Sequence, residues 1–162
     1  MKQKIKTREE LKEIVESFKK KGKKIVTTNG SFDILHLGHV KSFQEAKKYG
    51  DILILGLNSD SSIKQYKSPD RPINPQQDRA EMLAALECVD YVTIFDETDP
   101  RALLEVIKPN VHVKSKSGFT GIEKETVEKN GGEIVLIEDT IGKSTTNLID
   151  KILKAQTKKP VS

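Results

Sequence analysis

KIVTTNGSFDILHLGHVKSFQEAKKYGDILILGLNSD, residues 24–60, reads as strand, glycine turn, helix, glycine stop and second strand. KIVTTNG (24–30) is short, rich in β-branched residues and closed by Gly30, while HVKSFQEAKKYG (39–50) carries the longer period of a helix that Gly50 ends. DILILGLNSD (51–60) is a nearly continuous apolar run, which suits a strand covered on both faces. Two such strands joined through a helix are parallel neighbours, so this one stretch argues for an α/β sheet.

The rest of the chain extends the same alternation. Residues 7–21 open with Thr7 and Glu10 at capping-box spacing and place Leu11, Ile14, Val15 and Phe18 at helical intervals. Beyond residue 60 comes a loop bearing Lys and Pro, then a helix over 75–89 that starts at Pro75, and a strand over 90–96. Residues 100–107 read as helix, 111–114 as strand, 123–130 as helix stopped by Gly131 and Gly132, 133–137 as strand and 144–154 as the last helix. Five strands alternating with helices predict a doubly wound five-stranded parallel sheet. The expected organisation is a helix within 1–22 packed on one domain of residues 23–155, with 156–162 as a flexible tail.

Composition narrows the class of function. With 28 Lys and Arg against 24 Asp and Glu, the net charge of +4 is spread over a mixed surface, so anionic small molecules fit better than nucleic acid. The single cysteine, Cys88, excludes an internal disulfide and reads as a packing thiol within an apolar helical run. The first ten residues, MKQKIKTREE, hold no apolar signal core, and no run is long enough to span a membrane. A cytoplasmic protein, without membrane or nucleic-acid partners, is the expectation.

In a doubly wound sheet, ligands bind beyond the carboxyl ends of the strands, where strand order reverses. TTNGSFDILHLGHV (27–40) falls there and holds two of only three histidines, His36 and His39, around Gly38. Gly30 allows a tight turn off the first strand, and Gly38 removes a side chain where the helix begins, whose partial positive charge favours an anion. Two other readings stand beside a phosphate site: zinc ligation, with no cysteine near and Asp33 as the one close carboxylate, and a structural histidine pair satisfied by the backbone. Neither a Walker loop nor a G-x-G-x-x-G fingerprint occurs.

NGSFDILHLGH (29–39) resembles the GxFDxxHxGH signature of the cytidylyltransferase-like nucleotidyltransferases, and GKSTTNLI (142–149) is similar to the second motif of that superfamily. The fold implied is a Rossmann-like nucleotidyltransferase. AKKYGDILILGLNSDSSIK, RPINP with Asp78 and Arg79, MLAALECVDYVTIF and IKPNVHVK look most like the adenylyltransferase domain of bifunctional ADP-heptose synthases of lipopolysaccharide assembly. That likeness runs from about Lys24 to Ile152 and lacks the sugar-kinase domain, so a stand-alone transferase is expected. The sequence also resembles glycerol-3-phosphate cytidylyltransferase, which has another base and acceptor.

The resemblance implies attack by a sugar 1-phosphate oxygen, a heptose 1-phosphate foremost, on the α-phosphorus of ATP, giving ADP-sugar and pyrophosphate. It implies His36, His39 and Lys67 as catalytic residues, and Ser31, Phe32, Gly38, Arg79, Gly142, Ser144, Thr145 and Thr146 at the nucleotide. Asp33, Lys64, Arg101 and Lys114 would meet the acceptor. Mg²⁺ would be carried mainly by the phosphates, with no dedicated protein ligands, and the assembly would be a homodimer. A glycerol-3-phosphate-type enzyme using CTP, or a nucleotide-binding protein of weak activity, are the alternatives. Two departures from the family bear on them. Ser31 stands where many relatives have cysteine or threonine, and VKSKSGFTG (113–121) replaces the K-G-G-D-[YW] of the heptose enzymes, with Lys114 kept and Lys116 offering a compensating charge.

Overall fold

The computed structural model describes residues 2–140 and 145–157. Its centre is one parallel sheet of five strands: β1 (Ile25–Gly30), β2 (Ile52–Asn58), β3 (Tyr91–Phe95), β4 (Val111–Ser115) and β5 (Glu133–Ile137). Their spatial order is β3-β2-β1-β4-β5, so the order reverses between β1 and β4. The doubly wound sheet read from the sequence is therefore present, with its switch point beside the glycine turn.

The helices cover both faces: α1 (Arg8–Lys20), α2 (Leu37–Lys47), α3 (Asp60–Tyr66), α4 (Gln76–Ala84), α5 (Arg101–Ile107), α6 (Lys124–Lys129) and α7 (Thr145–Thr157). Alternation along each strand sends Val26, Leu53, Leu55, Leu57, Val92, Val111 and Val113 into one core with Phe43 and Ala46 of α2 and Ala80, Leu83 and Ala84 of α4. Ile25, Ile54 and Phe95 point the other way and pack with Leu11 and Val15 of α1 and Leu103 and Ile107 of α5. Most of these side chains are fully buried, the two-sided covering that parallel strands require.

Local chemistry explains the element ends. Thr7 caps α1 in a complete capping box: its hydroxyl accepts from the Glu10 amide at 3.2 Å, and its own amide donates to the Glu10 carboxylate at 2.8 Å. The chain leading into α1 is tied to edge strand β3, where the Lys6 amide donates to the Val92 carbonyl at 2.9 Å. Helix α2 begins at Leu37, earlier than the sequence pattern suggests, because His36 takes the N-cap in an extended conformation.

Three expectations are corrected. The segment after β2, read as loop, forms α3, started by Ser59, whose hydroxyl accepts from the Ser62 amide, and anchored by the buried Ile63. Helix α4 stops at Ala84 rather than reaching residue 89. Cys88 consequently lies in the turn before β3, partly buried against the core, where burial pushes its thiol up. Helix α7 continues to Thr157, and residues 158–162 of the expected tail lie outside the described residues. No helix among the described residues is long and apolar enough to cross a membrane.

Candidate active site

Strand β1 pairs with β2 over six residues, Ile25 to Gly30, but with β4 only at Val26 and Thr27. Past that point β1 and β4 part, and a cleft of about 210 Å³ opens between their carboxyl ends. Thr28, Phe32, His39, Val113, Lys114 and Gly118 are among the residues that line it. Parting strands leave backbone groups and side chains free to meet a ligand, the physical basis of binding at a switch point.

The β1–α2 turn presents two histidines at the cleft mouth. The His36 and His39 rings stack with centroids 3.7 Å apart and planes 18° from parallel. Each keeps its Nδ1 buried without a hydrogen-bond partner, an arrangement that native proteins rarely leave unused. Burial, then the neighbouring His36 and Lys67, lowers the His39 pKa to about 4, and burial lowers that of His36. Both are thus neutral near pH 7. Helix α2 has no acidic residue in its first turn and no side-chain cap, so its positive end stays open.

Phe32 forms the support beneath. Its backbone is left-handed, φ 43°, an uncommon choice for an aromatic residue. That turn drops the ring edge-on against His39, centroids 5.3 Å apart, and against Phe43 at 5.0 Å. A Cβ at Gly30 would come within 3.0 Å of the same ring, which is why glycine ends β1. Phe32 is 8% exposed, so it acts mainly as a floor for His39.

Lys67 closes the other side. Its ammonium donates to the Ser31 hydroxyl at 2.8 Å, reaching from the end of α3 across to the histidine turn. Burial lowers its pKa, Asp33 opposes that shift, and Arg71 and Arg79 add to it. Ser31, His36, His39 and Lys67 therefore come together.

Asp33 and Arg79 do something else, which corrects their expected contact with ligand. Asp33, 4% exposed, accepts from the amides of Ile73 at 2.8 Å and Asn74 at 3.0 Å and from the Arg71 guanidinium at 2.8 Å. Burial alone would raise its pKa, but those two amides and Arg71 outweigh it and hold the carboxyl below its usual range. Arg79 is fully buried and donates to the carbonyls of Asn74, Ser31 and Asn58 and to the Asp60 carboxylate at 2.7 Å. Every carboxylate oxygen and guanidinium nitrogen is occupied. These two residues fasten the α3–α4 connection, and with it Lys67, onto the histidine turn.

The remaining residues fall into four groups. Lys114 joins the cleft wall, donating to Asn29 Oδ1 at 3.1 Å and facing Glu123 Oε1 at 3.5 Å. Arg101 is exposed and held by both oxygens of Asp99, and Lys64 lies exposed on α3, so neither joins the network around Ser31. Thr145 and Thr146 open α7, whereas Gly142 and Ser144 lie outside the described residues. Lys116 is turned away to an ion pair with Glu138, which corrects its expected compensating charge. Its loop is drawn to Asp139 through the Ser117 amide and hydroxyl. Sequence reasoning missed Asn29, Arg71 and Glu123, whose parts depend on contacts between segments distant in the chain.

Among the described residues no group of three or more His, Cys, Asp or Glu side chains stands ready for a metal, and the Asp33 carboxylate is already engaged.

The chain is similar to several known proteins. The pattern that defines the Cytidylyltransferase-like family matches residues 27–162. The bifunctional protein HldE of Geobacter metallireducens is 52% identical over 156 residues, spanning 94% of this chain and 31% of that protein. Its counterpart from Nitratiruptor sp. is 51% identical over 149 residues, spanning 91% and 32%. The chain thus spans about a third of the length of the curated relatives it matches. Among solved structures, the lipopolysaccharide core biosynthesis protein from Thermoplasma volcanium aligns with a TM-score of 0.64 and 29% identity, over 74% of this chain and 99% of that one. Pantoate-beta-alanine ligase from Francisella tularensis, complexed with beta-gamma ATP and beta-alanine, shares the fold at a TM-score of 0.60 and 16% identity, over 93% and 78%.

Proposed function

The chain belongs to the cytidylyltransferase-like family, and on that premise we propose that it transfers AMP from ATP to a sugar 1-phosphate, heptose 1-phosphate foremost. An oxygen of the acceptor phosphate attacks the α-phosphorus, the bond to the α,β-bridging oxygen breaks, and pyrophosphate leaves with the electron pair. The product is an ADP-sugar. The observation that carries the reading is the convergence of His36, His39, Ser31 and Lys67 at the open end of α2, beside the parted strands.

Such a transfer needs little covalent help, because the acceptor phosphate is already ionised and positioning with charge stabilisation supplies most of the rate. His39, neutral near pH 7, would act as a fixed N–H donor to the α-phosphate, and His36 would extend the contact along the chain of phosphates. Lys67 would hold positive charge against the departing pyrophosphate, with Ser31 keeping its ammonium in place. Thr145 and Thr146, at the start of a thirteen-residue helix, are suited to the outer phosphates. Mg²⁺ bound to the phosphates would neutralise charge and orient the triphosphate. Preference for ATP and a heptose rests on the likeness to the HldE proteins and to the lipopolysaccharide core biosynthesis protein.

The test is product identification. Incubation with Mg²⁺, ATP and heptose 1-phosphate, followed by mass spectrometry, is expected to give ADP-heptose with one pyrophosphate per product. ADP together with a sugar bisphosphate would indicate phosphoryl transfer and contradict the proposal, as would the absence of product with every sugar 1-phosphate offered.

A further inference from the structure

Lys114 and Glu123 stand at the cleft wall in an arrangement that a phosphate anchor does not need. Lys114 leaves β4 where that strand parts from β1, and its side chain is 13% exposed. Two of its three ammonium protons are accounted for: one goes to Asn29 Oδ1 at 3.1 Å, and another faces Glu123 Oε1 at 3.5 Å. Glu123 precedes α6, its side chain is 4% exposed, and its Oε2 is buried with no hydrogen-bond partner. The carboxylate is therefore held through one oxygen alone. If Lys114 swung out to a phosphate, Glu123 would be left as a buried charge with neither oxygen compensated, a strongly unfavourable state. The pair must stay closed.

A closed pair presents no net charge to the cleft, in contrast to the ammonium of Lys67 at the other side, which is held by the uncharged Ser31 hydroxyl. Asn29 is uncharged as well. What remains on offer is one ammonium N–H, directed by two fixed acceptors, beside the amide of Asn29. That combination suits a hydroxyl oxygen rather than an anion.

We propose that the Lys114–Glu123 pair, with Asn29, is the part of the site that reads uncharged hydroxyl groups of a polyol ligand, with Glu123 as a positioning residue acting through Lys114. The inference rests on the nucleotidyltransferase reading above. It narrows the role of Lys114, expected at the acceptor, to contact with a hydroxyl. Two sources share this chemistry: the ring hydroxyls of the acceptor and the ribose of the nucleotide.

The test uses Glu123→Gln, together with the double variant Lys114→Met/Glu123→Gln, after thermal melts establish that both fold. In Glu123→Gln the ammonium is released from its counter-charge, so calorimetric affinity for inorganic phosphate is expected to rise severalfold and to return to the wild-type level in the double variant. This arm needs no turnover. In kinetics, the KM of Glu123→Gln for the sugar 1-phosphate is expected to rise about tenfold with kcat within about threefold. If the rise falls instead on ATP, and 2′-deoxy-ATP shows none, the ribose is the hydroxyl source and the proposal stands. Weaker or unchanged phosphate binding in Glu123→Gln would overturn it, as would unchanged KM values for both substrates. A wild-type protein inert with all acceptors would refute the underlying reading, while the phosphate titration would still decide the role of the pair.

Discussion

His39 gathers three physical effects in one side chain. Phe32 supports its ring, His36 stacks upon it, and burial with the nearby Lys67 keeps it unprotonated. A neutral donor fixed in this way loses nothing to reorganisation when charge grows on a phosphate, which is how preorganised groups accelerate transfer. We expect His39→Ala to lower kcat by about 10²–10³-fold, the range for deleting one such donor, while thermal melts remain near wild type. Retention of wild-type kcat would remove His39 from the chemistry. Parts of this were legible from residue identities, because a histidine pair around glycine at a βα turn already suggests anion contact. The neutrality of His39 was not, since it arises from burial of the ring and from the neighbouring His36 and Lys67, the last of which is brought there only by the fold.

At the scale of elements, the connection between α3 and α4 determines whether Lys67 reaches the turn. Asp33 and Arg79 bind that connection to β1 and β2 through seven side-chain hydrogen bonds at their carboxylate and guanidinium groups. Replacing Asp33 by Asn removes the charge facing Arg71 and leaves a buried donor poorly matched to two amide N–H groups. The expected cost is about 1–3 kcal/mol of stability in urea titrations, accompanied by a raised KM for ATP. A raised KM for the acceptor with unaltered stability would instead return Asp33 to direct substrate contact. The sequence conveyed strands and most helices because apolar periodicity reports burial directly. It concealed α3, where Asp60, Ser61 and Ser62 are weak helix formers whose order depends on the Ser59 cap and burial of Ile63. It also concealed why Arg79 matters: an arginine beside Asp78 suggests a surface pair, yet the fold turns it inward to Asp60.

For the whole molecule, burial of titratable groups ties stability to pH. His112 is completely buried in β4, its Nδ1 sharing a hydrogen bond with Thr27 Oγ1 at 2.7 Å, and burial, then Lys114, lowers its pKa to about 3. The unfolded chain binds a proton near pH 6.5 and the folded chain does not, so stability is fully present above 6.5 and falls as pH drops from there towards 3. Each such group contributes at most about 1.4 kcal/mol per pH unit in that window. His112→Gln should flatten the decline, measured as urea midpoints between pH 7 and 4. An unchanged slope would show that other groups dominate acid unfolding. The same sheet that buries His112 parts at β1 and β4 to form the cleft, so stability and chemistry meet at one switch point. The most direct test of the central claim is Mg²⁺-dependent pyrophosphate release, crossing ATP and CTP against heptose 1-phosphates, hexose 1-phosphates and glycerol 3-phosphate. Release with ATP and a heptose 1-phosphate, lost in His39→Ala, is the predicted result; silence across every combination would contradict the account.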